Sequence, residues 1–205
     1  MTPRGACRRA SSRRSVELDE AVRDDLMEAL PPETIASAIR KLDTDDAIYL
    51  IEDLDREEQQ EILSKVSAED RTVLKRALDY PEDTAGRLMQ TEFVAVPDSW
   101  TVARTLDYTR QARDLPDRFV EIYVVDPRNQ LRGTVPVSRL LRSSSDQTIS
   151  AVMDEEQTVF SVTDKQESVA YKFEQYNLVS AAVVDENGRL VGMLMVDDIV
   201  DVIQE

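Results

Sequence analysis

Short apolar segments follow one another between residues 31 and 78, each with hydrophobic positions at helical spacing. Their openings are Pro31, Asp43, Asp55 and Ser67. After each of the last three openings an acidic residue follows three positions later, which predicts a capping box at the helix start. Helices of about ten residues are marginal alone. The pattern therefore predicts a stacked, superhelical α-helical bundle, with one earlier helix near residues 17–30.

From about residue 88 to the end, one unit occurs twice. Residues 122–126 followed by 131–133 match residues 181–185 followed by 190–192, at an offset of 59. Upstream, Leu88-Met89 aligns with Val152-Met153. Each copy predicts a short strand, a helix (102–113 and 167–176), two strands joined by a tight turn and a closing helix. The strands are apolar without alternation, as in sheets that are covered on both faces.

Charge narrows the possible functions. The net charge is −16 over 205 residues, although the first 14 residues carry five arginines and no acid. This surplus of carboxylates argues against nucleic-acid binding and leaves solubility, a basic partner or cations as its use. Histidine is absent, so a bound metal would be hard and oxygen-liganded. The basic segment 1–14 is expected to be disordered.

Other sequence features set limits on location and chemistry. A single cysteine, Cys7, excludes an internal disulfide and fits a reducing compartment. No apolar run reaches the length that crosses a bilayer. No pairing of nucleophile and base and no phosphate-cradling loop is evident, so we expect no enzymatic activity.

The repeated strand, helix, strand, strand, helix unit resembles a tandem pair of CBS domains. CBS pairs as a class sense adenosine nucleotides, metal ions or ionic strength and usually dimerise, so this resemblance leaves the ligand open. It implies an α+β fold in which the helical bundle precedes the CBS pair.

The junction from Tyr80 to Met89, followed by Phe93-Val-Ala-Val96, resembles the linker between the N domain and the first CBS domain of MgtE-type magnesium transporters. The expected boundaries are a basic tail at 1–14, an N domain at 15–84 and CBS domains at 85–145 and 146–205. The resemblance implies a homodimer formed through the CBS domains, at the cytoplasmic face of the plasma membrane. It also implies a transmembrane channel domain in the same full-length chain.

The closing helix carries the candidate chemistry. Val196, Ile199, Val200 and Ile203 are expected to form a buried stripe, with the acids on the other side. Those acids are Asp197, Asp198, Asp201 and Glu205. Like charges four residues apart on a helix cost a few tenths of a kcal/mol (~0.2–0.5), and a bound divalent cation would remove that cost.

By resemblance, Asp198, Asp201 and Glu167 match magnesium-coordinating carboxylates of the family. Asn177 stands where the family often has an acid, so that site is expected either to be weaker or to use the amide oxygen. In the N domain, helix capping is the simpler interpretation of Asp43, Asp55 and Glu58. Asp45, Asp46 and Asp53 add charge beyond what one cap per helix requires and are candidate ligands, although the register of the matching acids stays open. The resemblance implies that Mg²⁺ between acidic surfaces holds a compact, closed state and that its loss releases it.

Two other functions stay open. One is adenosine-nucleotide binding, for instance of ATP, in a CBS cleft. CBS domains of this kind often have a glycine, then Ser or Thr, then a ribose-binding Asp at intervals of three. The second copy has Gly192, Met195 and Asp198, whereas the first has Gly133, Pro136 and Arg139. The other is a purely structural dimerisation module.

Overall fold

The computed structural model describes residues 29–112, 115–116 and 118–204, with side chains described as far as residue 200. The basic tail at residues 1–14 and nearly all of the helix predicted near residues 17–30 lie outside this range. The chain divides into two compact units, Met1–Leu78 and Asp79–Glu205. Within the described residues, no helix is both long enough and apolar enough to cross a bilayer.

The described part of the first unit is a stack of short helices. They are α1 (Pro32–Ile39), α2 (Thr44–Ile51), α3 (Arg56–Lys65) and α4 (Ala68–Leu78). Helix α1 packs against α3 and α2 against α4, so each helix buries its apolar stripe on its second neighbour along the chain. The core side chains include Ile35, Ile39, Ile48, Ile51, Ile62, Leu63 and Leu74. The predicted helical bundle is confirmed.

The helix starts follow the predicted capping chemistry in part. Asp55 accepts hydrogen bonds from the backbone N–H groups of Glu57 and Glu58, and Glu58 reaches back to the Asp55 N–H at 3.2 Å, which completes a capping box. Ser67 caps α4 through the Asp70 N–H at 3.1 Å. Asp43 has the extended backbone of an N-cap residue but makes no cap hydrogen bond. The box predicted there is wrong, and α2 instead carries two acids in its first turn, which favour the positive helix end.

The twelve-residue repeat also fixes how one helix ends and the next begins. Gln59, four residues after Asp55, donates from Nε2 to the carbonyl oxygens of Ile51 and Glu52 at 3.0 and 3.1 Å. Arg71, four residues after Ser67, donates to three carbonyl oxygens at the end of α3 at 2.7–3.2 Å. These side chains satisfy carbonyl groups that have no partner inside their own helix.

The second unit contains two three-stranded sheets of identical topology. Their strands are β1 (Ala95–Pro97), β2 (Glu121–Val125), β3 (Leu131–Pro136), β4 (Val159–Ser161), β5 (Ser180–Val184) and β6 (Leu190–Met195). In each sheet the first strand pairs in parallel with the second, and the second pairs antiparallel with the third. The sequence repeat at an offset of 59 therefore corresponds to two copies of the same strand arrangement.

The described residues of this unit also form six helices. They are α5 (Ala85–Leu88), α6 (Val102–Gln111), α7 (Val137–Arg142), α8 (Ile149–Val152), α9 (Gln166–Tyr176) and α10 (Val196–Gln204). Helices α6 and α9 occupy the segments predicted to be helical, and α7 and α10 are the closing helices. The tight turns are held by Asp126 and Asp185, whose Oδ1 atoms each accept two backbone N–H groups at 2.8–3.0 Å.

The two halves of this unit exchange their leading helices. Ala85 and Met89, at α5, pack in the core of the second sheet, and the Ala85 N–H donates to the Asp164 carbonyl at 2.8 Å. Ile149 of α8 packs in the core of the first sheet in the same way, and its N–H donates to the Trp100 carbonyl at 2.7 Å. Each sheet is therefore completed by the segment that precedes the other one.

Backbone contact between the halves requires glycine at two equivalent positions. Thr134 and Asp154 exchange backbone hydrogen bonds at 3.0 and 2.8 Å. A Cβ added at the neighbouring Gly133 would lie 2.6 Å from the Asp154 carbonyl oxygen. In the other half, a Cβ at Gly192 would lie 2.9 Å from the Gln90 carbonyl oxygen. A side chain at either position would push the two halves apart.

We therefore predict that Gly133→Ala lowers the free energy of unfolding of the second unit by about 2 kcal/mol, since the methyl group meets backbone that cannot rotate away. Urea unfolding followed by the fluorescence of Trp100 measures this. Trp100 is the chain's only tryptophan. It packs on the core of the first sheet, with its ring 5.5 Å from that of Tyr108.

Gly188→Asn is the matched control for this substitution. Gly188 has a φ of +74° with nothing within 4 Å of an added Cβ, and Asn129 occupies the equivalent turn of the first copy at a φ of +62°. Asparagine tolerates this region, so the control should leave the unfolding midpoint nearly unchanged. Equal destabilisation by both variants would contradict the close-approach argument.

Candidate cation site on the closing helix

Helix α10 begins directly after strand β6 and places two acids in its first turn. Asp197 is exposed and Asp198 is half-buried, whereas Ile199 is fully buried against the second sheet. Val196 and Val200 are 39% and 40% exposed. The predicted buried stripe is therefore wrong at these two positions, because only the face around Ile199 packs on the core.

Asp198 is held by two hydrogen bonds to one of its oxygen atoms. Its Oδ2 accepts from the backbone N–H of Met195 at 3.2 Å and from Gln90 Nε2 at 3.3 Å. Met195 precedes the first residue of α10, and Asp198 is the third residue of the helix, so the first bond is the reciprocal half of a capping box. Asp198 thus has a structural role that is independent of any ligand.

Fewer contacts are described for the other acids of the predicted closing helix. Among the described residues no basic side chain forms an ion pair with Asp197. The side chains of Asp201 and Glu205 lie outside the described residues. The helix itself contains no lysine or arginine, so its negative charge is not balanced from within.

Glu167 and Asn177 lie at opposite ends of α9, which packs beside α10. Both side chains are exposed. At 1.5 Å per residue the two positions are about 15 Å apart along the helix, too far to ligate one ion. Asn177 ends the helix with φ 49° and ψ 47°, a left-handed conformation that asparagine adopts readily. Asn177 therefore has a structural role as the helix terminator, and its role toward a cation stays a prediction.

The candidates of the first unit belong to the ends of α2. Asp45 and Asp46 are half-buried in its first turn, and Asp53 is exposed just beyond its last turn. The first-turn pair is at the positive end of the helix dipole, which stabilises carboxylates. This placement makes their charge favourable without any ligand, while the role of Asp45, Asp46 and Asp53 toward a cation stays a prediction.

A second polar cluster joins the two halves of the second unit. Ser180 Oγ donates to Glu121 Oε2 at 3.0 Å, and these two residues are each other's equivalents at the offset of 59. Burial raises the pKa of the Glu121 carboxyl, against the hydrogen bond from Ser180, and nearby Asp154 raises it further. Burial also raises the pKa of the Tyr123 phenol beneath them.

Asp154 forms an ion pair with Arg139, whose Nη1 lies 2.6 Å from Oδ1. Arg139 stands where Asp198 stands in the other copy. The guanidinium also donates to the Val152 carbonyl at 3.2 Å. This half of the region therefore neutralises its own charge.

The donor set of α10 fits a hard cation, since it offers carboxylate oxygens and the whole chain lacks histidine. No group of three or more potential metal ligands is already assembled among the described side chains.

Sequence analysis missed two partners of these residues. They are Gln90, which contacts Asp198, and Asp154, which contacts Arg139, and both contacts exist only in the folded chain. The signal was present in the alignment, because Gln90 follows Leu88-Met89 as Asp154 follows Val152-Met153. A polar residue at one equivalent position in both copies indicates a polar partner for each.

These features define a CBS-pair protein with a helical N-terminal unit. Residues 15–83 match the model of the MgtE intracellular N domain, and residues 149–205 match the CBS domain. The chain belongs to the MgtE family, of which it carries the N domain and the CBS pair.

Individual relatives agree with this assignment. The magnesium transporter MgtE of Enterococcus faecalis is 32% identical over 138 residues, which is 67% of this chain and 30% of the relative. The crystal structure of the soluble part of a magnesium transporter superposes with a TM-score of 0.87 at 29% identity, covering 94% of this chain and 76% of the other.

A crystal structure of the cytosolic domain of the Mg²⁺ channel MgtE in complex with ATP is also similar. It superposes with a TM-score of 0.85 at 28% identity and covers 93% of this chain and 78% of that one. The chain spans between 30% and 37% of the length of the curated transporters that it matches. Transporter activity of the full-length protein is therefore a proposal for this chain.

We predict that Asp198→Ala lowers the free energy of unfolding of the second unit by about 1 kcal/mol in magnesium-free buffer, because the Met195 N–H loses its acceptor. Asp198→Asn should cost less than half of this, since the amide oxygen can still accept. Urea unfolding with Trp100 fluorescence, in the presence of a chelator, measures both. Equal losses for the two variants would show that the cap does not operate.

Proposed function

We propose that this chain is the magnesium-sensing regulatory part of an MgtE-family transporter. The observation that supports this most directly is the acidic start of α10, where Asp197 and Asp198 stand on a helix without a basic residue. Asp198 and Asp201 are the proposed principal ligands. Asp197, Glu205 and Glu167 supply further charge nearby, and Asn177, Asp45, Asp46 and Asp53 are further candidates.

The proposed mechanism is electrostatic. Carboxylates that are crowded together repel one another, and a divalent cation placed among them removes that repulsion. The compact arrangement of the chain therefore gains stability as Mg²⁺ rises and loses it as Mg²⁺ falls. The ion shifts this equilibrium only by the difference in its affinity for the two states, and several weak sites together make the response steep.

The proposed partners are a second copy of the chain and the membrane channel domain of the full-length protein, at the cytoplasmic face of the membrane. The length of the matched transporters supports the membrane channel domain as a partner. Pairing with a second copy is supported by exposed apolar side chains on and beside helices α9 and α10, namely Tyr171, Tyr176, Val179, Val196 and Val200. In the full-length protein, the compact dimer would favour a closed channel.

We expect the radius of gyration of the wild-type chain to fall as Mg²⁺ rises into the millimolar range, because neutralised carboxylates allow closer packing. Small-angle X-ray scattering across a magnesium titration measures this. The variant Asp198→Asn with Asp201→Asn should need several-fold more magnesium for the same change.

The charge-matched control is Asp146→Asn with Glu186→Gln, since both of these side chains are exposed acids away from α10. It removes the same two charges and should respond as the wild type does. A wild-type chain with a constant radius across the titration would contradict the proposal and favour a purely structural dimerisation module. An equal shift in both double variants would show that only total charge matters.

A second candidate function is ATP binding, which the similarity to the ATP-bound MgtE domain supports. The second copy fits best, since it retains Gly192 and the carboxylate of Asp198. The first copy fits poorly, because Arg139 stands in place of the ribose-binding acid and is already paired with Asp154. We propose one nucleotide site per chain, acting as a modulator beside magnesium.

Calorimetric titration with ATP at fixed free magnesium should therefore give about one site per chain. Asp198→Asn should weaken it about tenfold, since a ribose hydroxyl would lose a charged acceptor. Arg139→Ala should leave the affinity unchanged. No heat with the wild type would contradict nucleotide binding, and loss of binding in Arg139→Ala would move the site to the other cleft.

A further inference from the structure

A half-buried carboxyl lies at the point where the two halves of the second unit meet. Glu121 is the first residue of β2, and its equivalent in the other copy, Ser180, is the first residue of β5. The Ser180 side chain is buried, and its hydroxyl donates to Glu121 Oε2 at 3.0 Å. One hydrogen bond from a neutral group therefore connects the starts of the middle strands of the two sheets.

This contact also lies next to the start of both closing helices. Glu121 pairs with Pro136, the residue before α7, and Ser180 pairs with Met195, the residue before α10. The carbonyl groups just before Glu121 and Ser180 accept the first backbone N–H of each closing helix at 2.9 and 3.0 Å. A change of charge on Glu121 therefore acts where the two halves and both closing helices come together.

The surroundings of Glu121 favour its neutral form. Glu121 forms no ion pair with a residue that the structure describes, and Arg139 of α7 pairs instead with Asp154, at 2.6 Å. The phenol of Tyr123, two residues along β2, stays neutral because burial raises its pKa. Burial raises the pKa of the Glu121 carboxyl, the hydrogen bond from Ser180 opposes this only in part, and the negative charge of Asp154 adds to the increase.

We infer that Glu121 is a proton-binding group at the contact between the two halves, through which acidification strengthens that contact. When the carboxyl is ionised, its charge is partly buried and is repelled by that of Asp154. Uptake of a proton removes this charge. The neutral carboxyl can still accept the hydrogen bond from Ser180, so the contact is kept. This response to protons is independent of the proposed response to magnesium.

The pH range of the effect follows from the direction of the pKa shift. In the unfolded chain Glu121 titrates at its ordinary value of 4.5, and in the folded chain it titrates higher. The ionised carboxyl therefore lowers the stability of the folded state at a pH above its folded pKa. As the pH falls from there toward the ordinary value, this loss is recovered. Below the ordinary value both states are protonated, so no further gain follows.

Urea unfolding of the full chain in a chelator, followed by Trp100 fluorescence, tests this across a range of pH. Glu121→Gln should unfold at a higher urea concentration than the wild type at about pH 8, because it removes the charge. The difference should disappear by about pH 4, where the wild-type carboxyl is itself neutral. The matched control is Glu186→Gln, which changes an exposed glutamate between β5 and β6. Its difference from the wild type should be the same at every pH.

Two further measurements separate a proton-binding role from simple packing. Ser180→Ala removes the donor to the carboxylate, so it should lower the urea midpoint more at about pH 8 than at about pH 4, and this pH dependence should be absent in a Glu121→Gln chain. In the wild type, the NMR signal of the Glu121 carboxyl carbon should titrate above 4.5. The inference is overturned if that carbon titrates at or below this value, or if Glu121→Gln gains the same stability at both pH values.

Discussion

The close approach of two backbones at Gly133 and Gly192 is the constraint on which the second unit depends. At each point the chain that leads into one half pairs with the third strand of the other, and there is no room for a Cβ. The two halves are therefore not separate domains laid side by side. Each completes the core of the other, so a change at this contact is felt in both sheets.

This exchange also places the polar residues that matter. Gln90 and Asp154 immediately follow the methionines that pack over these glycines. Their side chains contact Asp198 in the first turn of α10 and Arg139 in the first turn of α7. The geometry that joins the halves thus places a polar side chain against each closing helix.

Much of the fold could be predicted from sequence, because its signals are local. The twelve-residue spacing fixed the helices of the first unit, and the offset of 59 predicted two equivalent sheets with turns at Asp126 and Asp185. The exchange of α5 and α8 could not be predicted, since no local pattern says which sheet a short helix will cover. The exposure of Val196 and Val200 was missed for a related reason, because periodicity identifies an apolar face without showing whether anything covers all of it.

The site was predictable only at the level of residue type. Acids on a helix without basic residues indicate an unbalanced charge, and the resemblance supplied Asp198 and Asp201 as candidates. Sequence could not show that Asp198 also caps its own helix, or that Asn177 is a helix terminator. Both facts come from backbone geometry, which a single sequence does not reveal.

The helix cap that Asp198 forms also bears on its proposed role as a cation ligand. A carboxylate held by the Met195 N–H and by Gln90 has already lost much of its rotational freedom, so binding an ion costs it little further entropy. The same two donors draw electron density from the carboxylate and weaken its attraction for a cation. In the proposed function, such a carboxylate would bind a cation weakly but in a fixed orientation, and would release the ion when its concentration falls. An acid without such hydrogen bonds would carry the same charge, but its carboxylate would not be held in a fixed orientation.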